Sequence, residues 1–107
     1  MSPIYDKETL YAAIDNYSLL TKSQKTILKS MIQISIDNEV VASIDDLSKL
    51  TSTRRATVSA AINMLEKIGI IEVSQITGIR FSTCMLKQSK LNEVVAHHQK
   101  KKQLMQK

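Results

Sequence analysis

The segment spanning residues 43–86, SIDDLSKLTSTRRATVSAAINMLEKIGIIEVSQITGIRFSTCML, constrains the fold more than any other part of the chain. Ser43 followed three residues later by Asp46 is a capping box, which opens a helix running through about Leu50. Thr51 and Ser52 then make a turn, and Thr53 is the expected cap of a second helix that ends before Gly69. Val58, Ala61, Ile62, Leu65 and Ile68 recur at the spacing of one buried helical face. Gly69 suits the left-handed position just past a helix end. Beyond it the pattern changes. Residues 70–73 and 79–86 are rich in β-branched side chains and are joined across Thr77-Gly78, which reads as a hairpin. On its second strand Ile79, Phe81, Thr83 and Met85 share one face, and Arg80, Ser82, Cys84 and Leu86 share the other.

The flanks are helical as well. A first helix is expected over about 6–20, with Leu10, Ile14 and Tyr17 on one side, until Ser18 and Thr21 interrupt it. The tetrapeptide TKSQ is a second capping box, in which Thr21 caps and Gln24 reaches back. Ile27, Leu28, Met31, Ile32 and Ile34 follow as a wide apolar stripe, the expected floor of the core. That helix should fade near Asp37 and Asn38, where asparagine tolerates a left-handed ending. Val40, Val41 and Ala42 suit a short strand, a third partner for the hairpin. From Ser89 the chain reads as helix again, with Leu91, Val94, Val95, His98 and Met105 loosely on one side.

At 107 residues the chain can bury one modest core. Pro3 is the only proline, and Gly69 and Gly78 are the only glycines, so no flexible linker divides it. No run is long enough to cross a bilayer, and residues 1–20 lack a basic start followed by an apolar stretch. Cys84 is alone and cannot form an internal disulfide, which favours a reducing, cytoplasmic setting. The formal charge of +5 favours polyanions without naming one. Its distribution says more: residues 1–20 carry a net −2 and residues 87–107 a net +5. Asp37, Glu39, Asp45 and Asp46 form an acidic patch leading into the first helix of the 43–86 segment, whereas Arg54 and Arg55 open the second.

Residues 47–71, LSKLTSTRRATVSAAINMLEKIGII, resemble the winged helix-turn-helix superfamily of bacterial and phage DNA-binding proteins. In that pattern a leucine, a small residue and a turn precede "TV", then a leucine-rich helix and "GLI". Ser48 stands at the small position, Thr57-Val58 at the buried hinge of the recognition helix, and Leu65 through Ile71 at its exit into the wing. Three positions depart from it: Ser52 replaces the turn glycine, Thr53 the apolar residue after it, and Arg54 the usual capping serine. A cap shifted to Thr53 would repair the last, and a left-handed Ser52 costs roughly 1 kcal/mol. The resemblance implies a mainly α fold with a small β-hairpin wing and flanking helices. It divides one domain, 1–107, into an N-terminal helix (1–20), a winged core (21–86) and a basic C-terminal helix or tail (87–107).

It also implies double-stranded DNA as the partner. A recognition helix needs an apolar inner face and a small or polar outer one. The outward positions are Arg54, Arg55, Ala56, Ser59, Ala60 and Asn63. Arginine reaches guanine bidentately, asparagine does the same to adenine, and alanine and serine permit close approach. Thr57, near the helix start with its free N–H groups, suits a phosphate. Arg80 lies two residues past the hairpin glycine, where wings touch the minor groove or backbone. Lys100, Lys101 and Lys102 either track phosphates or form a solvated helix end. The alternative for the whole outer face is ordinary solvation. Both flanking stripes are large for free surface helices; they pack on their own domain or form a homodimer, for which Leu10, Tyr11, Ile14 and Tyr17, supported by Leu91, Val94 and Val95, are the favoured interface.

Other chemistry is unsupported. His97-His98 has no further ligands at metal spacing, Cys84 has no motif-supplied histidine, and there is no glycine-rich phosphate loop or apolar carboxylate pair. Neither an enzyme nor a cofactor is expected. The expectation is a sequence-specific DNA-binding protein serving transcriptional regulation. Plasmid or phage replication or maintenance is an alternative role, and a winged domain used for protein assembly is another.

Overall fold

A computed structural model of the chain describes residues 6–75 and 82–105, with side chains described over 6–73 and 84–100. In order these form α1 (Lys7–Asp15), α2 (Lys22–Ile34), β1 (Glu39–Ala42), α3 (Ile44–Thr51), α4 (Arg55–Ile68), β2 (Ile71–Gln75), β3 (Ser82–Leu86) and α5 (Gln88–Met105). The strands form one antiparallel sheet in the order β1-β3-β2. The chain is thus mainly α with a small β-hairpin wing, the layout of a winged helix-turn-helix.

Both capping boxes form. The Thr21 hydroxyl accepts the Gln24 N–H while the Gln24 side chain accepts the Thr21 N–H, and Ser43 and Asp46 repeat the exchange at α3. The helix ends differ more from expectation. α1 stops at Asp15, not Leu20, because Asn16 turns its side-chain amide onto the Ala12 carbonyl (2.9 Å) and Lys25 of α2 donates to the Asp15 carbonyl (2.6 Å). Lys29 adds an ion pair to the Asp15 carboxylate at 2.7 Å, placing cations at the negative end of α1.

α2 ends at Ile34, before the expected fade. Ser35 is extended, with its hydroxyl donating to the Ile32 carbonyl. Asp37 and Asn38 do not end the helix; both have positive φ (51° and 65°) and form the two-residue loop of a small hairpin in which Ile36 and Glu39 exchange hydrogen bonds.

α4 ends at Gly69 with φ 95°. The Ile70 N–H reaches back to the Leu65 carbonyl and the Gly69 N–H to that of Glu66, a Schellman closure. A Cβ at Gly69 would meet nothing within 4 Å, so backbone conformation and not space selects glycine there.

The core is one continuous cluster. Ile27, Leu28, Met31, Leu47, Val58 and Leu65 are fully buried where α2, α3 and α4 meet. The sheet closes it with Val40, Ala42, Ile71, Cys84 and Leu86. The register places Val40 opposite Cys84 and Cys84 opposite Val73, so the Cys84–Leu86 face of β3 is the inner one. The opposite face carries the row Glu39, Met85 and Glu72. On α4, Val58, Ala61 and Leu65 are buried, while Ile62 and Ile68 are partly buried.

The flanking helices pack on each other. Leu10 and Ile14 of α1 and Leu91, Val94 and Val95 of α5 are all buried within this one chain, with Tyr11 and Tyr17 packed against the same cluster. The stripes assigned to a homodimer interface are therefore consumed internally. His97, on the outer side of α5, sets its ring edge-on to Tyr17 at 6.4 Å. His98 is half-buried, and the side chain of Met105 is outside the described ones. No described helix is long and apolar enough to cross a membrane.

Candidate nucleic-acid interface

The turn between α3 and α4 is built around Ser52, which takes the left-handed conformation at φ 52° and ψ 42° without being glycine. α3 closes as α4 does: the Ser52 N–H reaches the Lys49 carbonyl (3.4 Å), and the Thr53 N–H reaches the Ser48 carbonyl (3.0 Å). The Ser48 hydroxyl adds a hydrogen bond to the Thr53 carbonyl. The small residue of the motif therefore also ties down the turn.

That arrangement overturns the expected cap. Thr53 donates its hydroxyl to the Thr51 carbonyl at 3.1 Å and leaves the helix end alone. Arg54 takes the capping position with extended backbone and no side-chain hydrogen bond to the helix. The first intrahelical bond runs from the Val58 N–H to the Arg54 carbonyl, so the N–H groups of Arg55, Ala56 and Thr57 have no partner among the described residues. Three unpaired donors at the positive end of a helix form a place that favours an anion.

The predicted outer face is largely outward. Arg54, Arg55, Ala56, Ala60 and Asn63 are exposed. Ser59 is half-buried, nearer the flank of the helix than the sequence pattern implied, and Thr57, expected at the hinge and as a phosphate contact, is half-buried too. Arg80 lies outside the described residues, as do Thr77 and Gly78.

Arg55 is not free. Its Nε lies 2.5 Å from a carboxylate oxygen of Asp45, in the first turn of α3, with the two side chains 70% and 51% exposed. Arg54, its neighbour, forms no ion pair among the described residues. Counting helix faces could not reveal this contact, because it spans the turn. The available signal was a second acid beside the capping Asp46, ten residues ahead of an arginine at the start of the next helix. Asp46 itself is committed to capping: its carboxylate accepts the Ser43 N–H at 3.0 Å, and the hydrogen bonds with Ser43 hold its pKa below the ordinary value.

The wing is anchored from both sides. The Glu66 carboxylate of α4 accepts the Val73 N–H (3.3 Å), and Lys87 pairs with Glu72 at 2.7 Å. The latter contact lowers the Glu72 pKa, first through the hydrogen bond and then through the lysine charge. Cys84 is buried at the centre of the sheet, where desolvation and then the nearby Glu66 charge push its thiol up, away from the reactive thiolate. Among the described residues, no group of three His, Cys, Asp or Glu side chains is placed to hold a metal ion.

No protein-family model matches this sequence, and no curated protein matches it either. Among solved structures, the fold is similar to that of a possible transcriptional regulator from Methanosarcina mazei Go1. The TM-score is 0.57 with 17% identity, over 94% of this chain and 82% of the other. At that identity, the likeness is one of fold.

Proposed function

We propose that this chain is a small transcriptional regulator that binds duplex DNA sequence-specifically through α4. The observation that carries the proposal is the start of that helix. Two exposed arginines and three unpartnered backbone N–H groups stand beside Ala56, Ala60 and Asn63, a strip with few bulky side chains. Phosphate-seeking and base-reading donors are thus concentrated at one helix end, on a surface slim enough for the major groove. The similar fold of the possible transcriptional regulator from Methanosarcina mazei Go1 supports a regulatory role.

A single motif reads few base pairs, so the proposal includes a homodimer spanning two half-sites. With α1 and α5 packed on each other, the exposed apolar side chains left for such a contact include Ile36 (77% exposed), Val41 (61%) and Met85 (39%). They also support the second reading, a winged domain used for protein assembly.

Binding to random duplex across a salt series separates the two. A DNA-binding protein loses affinity linearly on a log–log plot as salt rises, because counterions are released from the phosphates it neutralises. An assembly module shows no salt-dependent affinity, and that result would remove the proposal. Selection of bound sequences from a random duplex pool then tests specificity, with a palindromic product expected from a dimer.

A further inference from the structure

We infer that Asp45 is a specificity-determining residue, which positions Arg55 to read a base and turns it away from indiscriminate phosphate binding. The inference rests on the DNA-binding proposal and assigns different tasks to its two arginines.

Arg54 and Arg55 are adjacent in sequence yet differ in surroundings. Arg54 precedes the helix and has no carboxylate partner among the described residues. Arg55 is the first residue of α4 and is held at Nε by Asp45 across the turn. A guanidinium has five donors in a rigid fork, so a contact at Nε does not exhaust it. The carboxylate has two effects on those that remain. It restricts the rotamers of a long side chain, so less freedom is lost when the fork meets a base. It also offsets the charge, weakening attraction to phosphate while leaving the geometry that matches guanine N7 and O6.

The ion pair is not needed to hold α3 against α4. Leu47 is buried in the core, and the Ser48–Thr53 hydrogen bonds already close the turn. Both members of the pair are more than half exposed, where such contacts contribute little to stability. An acid held beside a DNA-facing helix would by itself repel phosphates. Orienting Arg55 gives it a use there. Asp46 cannot substitute, because its carboxylate caps α3.

The test is selection from a random duplex pool, with salt titrations on random duplex, for the full chain and the variants Asp45→Asn, Asp45→Glu, Arg55→Ala and Arg54→Ala. Asp45→Asn and Arg55→Ala are expected to flatten preference at the same base-pair position, each by roughly tenfold in discrimination, the scale of one good bidentate contact. Asp45→Asn is expected to bind random duplex more tightly than the parent, whereas Arg54→Ala binds it more weakly with a shallower salt slope. Asp45→Glu is expected to restore the preference, and the melting midpoints of Asp45→Asn and the parent should coincide. An unchanged preference in Asp45→Asn, or flattening at a different position from Arg55→Ala, would overturn the inference while leaving DNA binding intact. So would a parent protein that binds duplex with no sequence preference. A parent that binds no duplex at all would remove the proposed function itself.

Discussion

Ser48 and Thr53 are joined twice: the Thr53 N–H donates to the Ser48 carbonyl at 3.0 Å, and the Ser48 hydroxyl donates back to the Thr53 carbonyl. These bonds bracket Ser52, a non-glycine residue in the left-handed region. The side chain at 48 therefore helps hold a turn whose own sequence is unfavourable.

Opposite effects are expected from two substitutions there. Ser48→Ala removes the returning hydrogen bond and should destabilise the chain by about 1 kcal/mol. Ser52→Gly relieves the left-handed strain and, after the added freedom of the unfolded chain, should stabilise by about 0.5–1 kcal/mol. Denaturant unfolding measures both, and a destabilised Ser52→Gly would mean the turn does not rest on a strained Ser52.

Leu65 is fully buried on α4, the helix that packs on α2. It is also the residue whose carbonyl receives the Ile70 N–H at the exit into the wing. Leu65→Ala should cost about 2–5 kcal/mol, a large share of a small domain's stability. A thermal melt with an unmoved midpoint would take Leu65 out of the core.

Removing residues 1–20 should damage the fold instead of simply converting a dimer to a monomer. α1 contributes Leu10, Ala13 and Ile14 to the core, and its loss uncovers Leu91, Val94 and Val95 on α5. The expected outcome is lower helicity, a lower midpoint and a tendency to associate through the uncovered face. A truncated chain that kept the parent midpoint would show that α1 is dispensable.

What the sequence disclosed followed from local chemistry. The pairs Thr21–Gln24 and Ser43–Asp46 lie three residues apart and close on backbone within one turn, so spacing sufficed. Gly69 was legible because few other residues adopt its φ. The failures involve competition. The Asn16 amide closes the end of α1 locally on Ala12, but Lys25 of α2 also claims the Asp15 carbonyl, a tertiary contact with no local trace. Thr53 is a good capping residue by type, but the turn claims its backbone and its hydroxyl bonds Thr51, so Arg54 takes the cap position of α4 without a capping side chain. The partner of α1 was undecidable from its stripe, since a face that fits α5 would equally fit a second copy. At the candidate site, the outward set was legible from helical period, whereas the Arg55–Asp45 contact depended on how the turn brings two helix starts together.

Acid should weaken the fold through three carboxylates. Asp6 and Asp46 are held below their ordinary value of 3.8 by hydrogen bonds with Thr9 and Ser43, and Glu72 below 4.5 by Lys87. Each binds its proton less readily folded than unfolded. Their contribution is therefore fully present above those ordinary values and is lost as pH falls through the lower folded ones. All three are exposed, so the effect should be modest and reduced by salt. Asp46→Asn, which cannot titrate, should be less stable than the parent near neutral pH, with the difference shrinking as pH falls below the ordinary carboxylate value of 3.8. A constant difference across the acid range would show that ionisation of Asp46 does not support the α3 cap.

The two basic regions should differ in kind when tested against DNA. In the proposed DNA-binding mode, Arg54 and Arg55 stand where a helix start would bring base edges and phosphates within reach together. Lys100 to Lys102 lie toward the end of α5, on a helix held to α1 and remote in sequence from that start. Replacing both arginines with alanine should relax sequence preference, at roughly 1–3 kcal/mol for each bidentate arginine–base pairing removed. Replacing the three lysines should weaken all duplexes alike and make the salt dependence shallower, because fewer counterions are released. Selections and salt titrations on the two variants separate these outcomes. If the arginine variant kept the parent's preferred site and affinity, α4 would not be the reader, and any remaining duplex binding would rest on net charge alone.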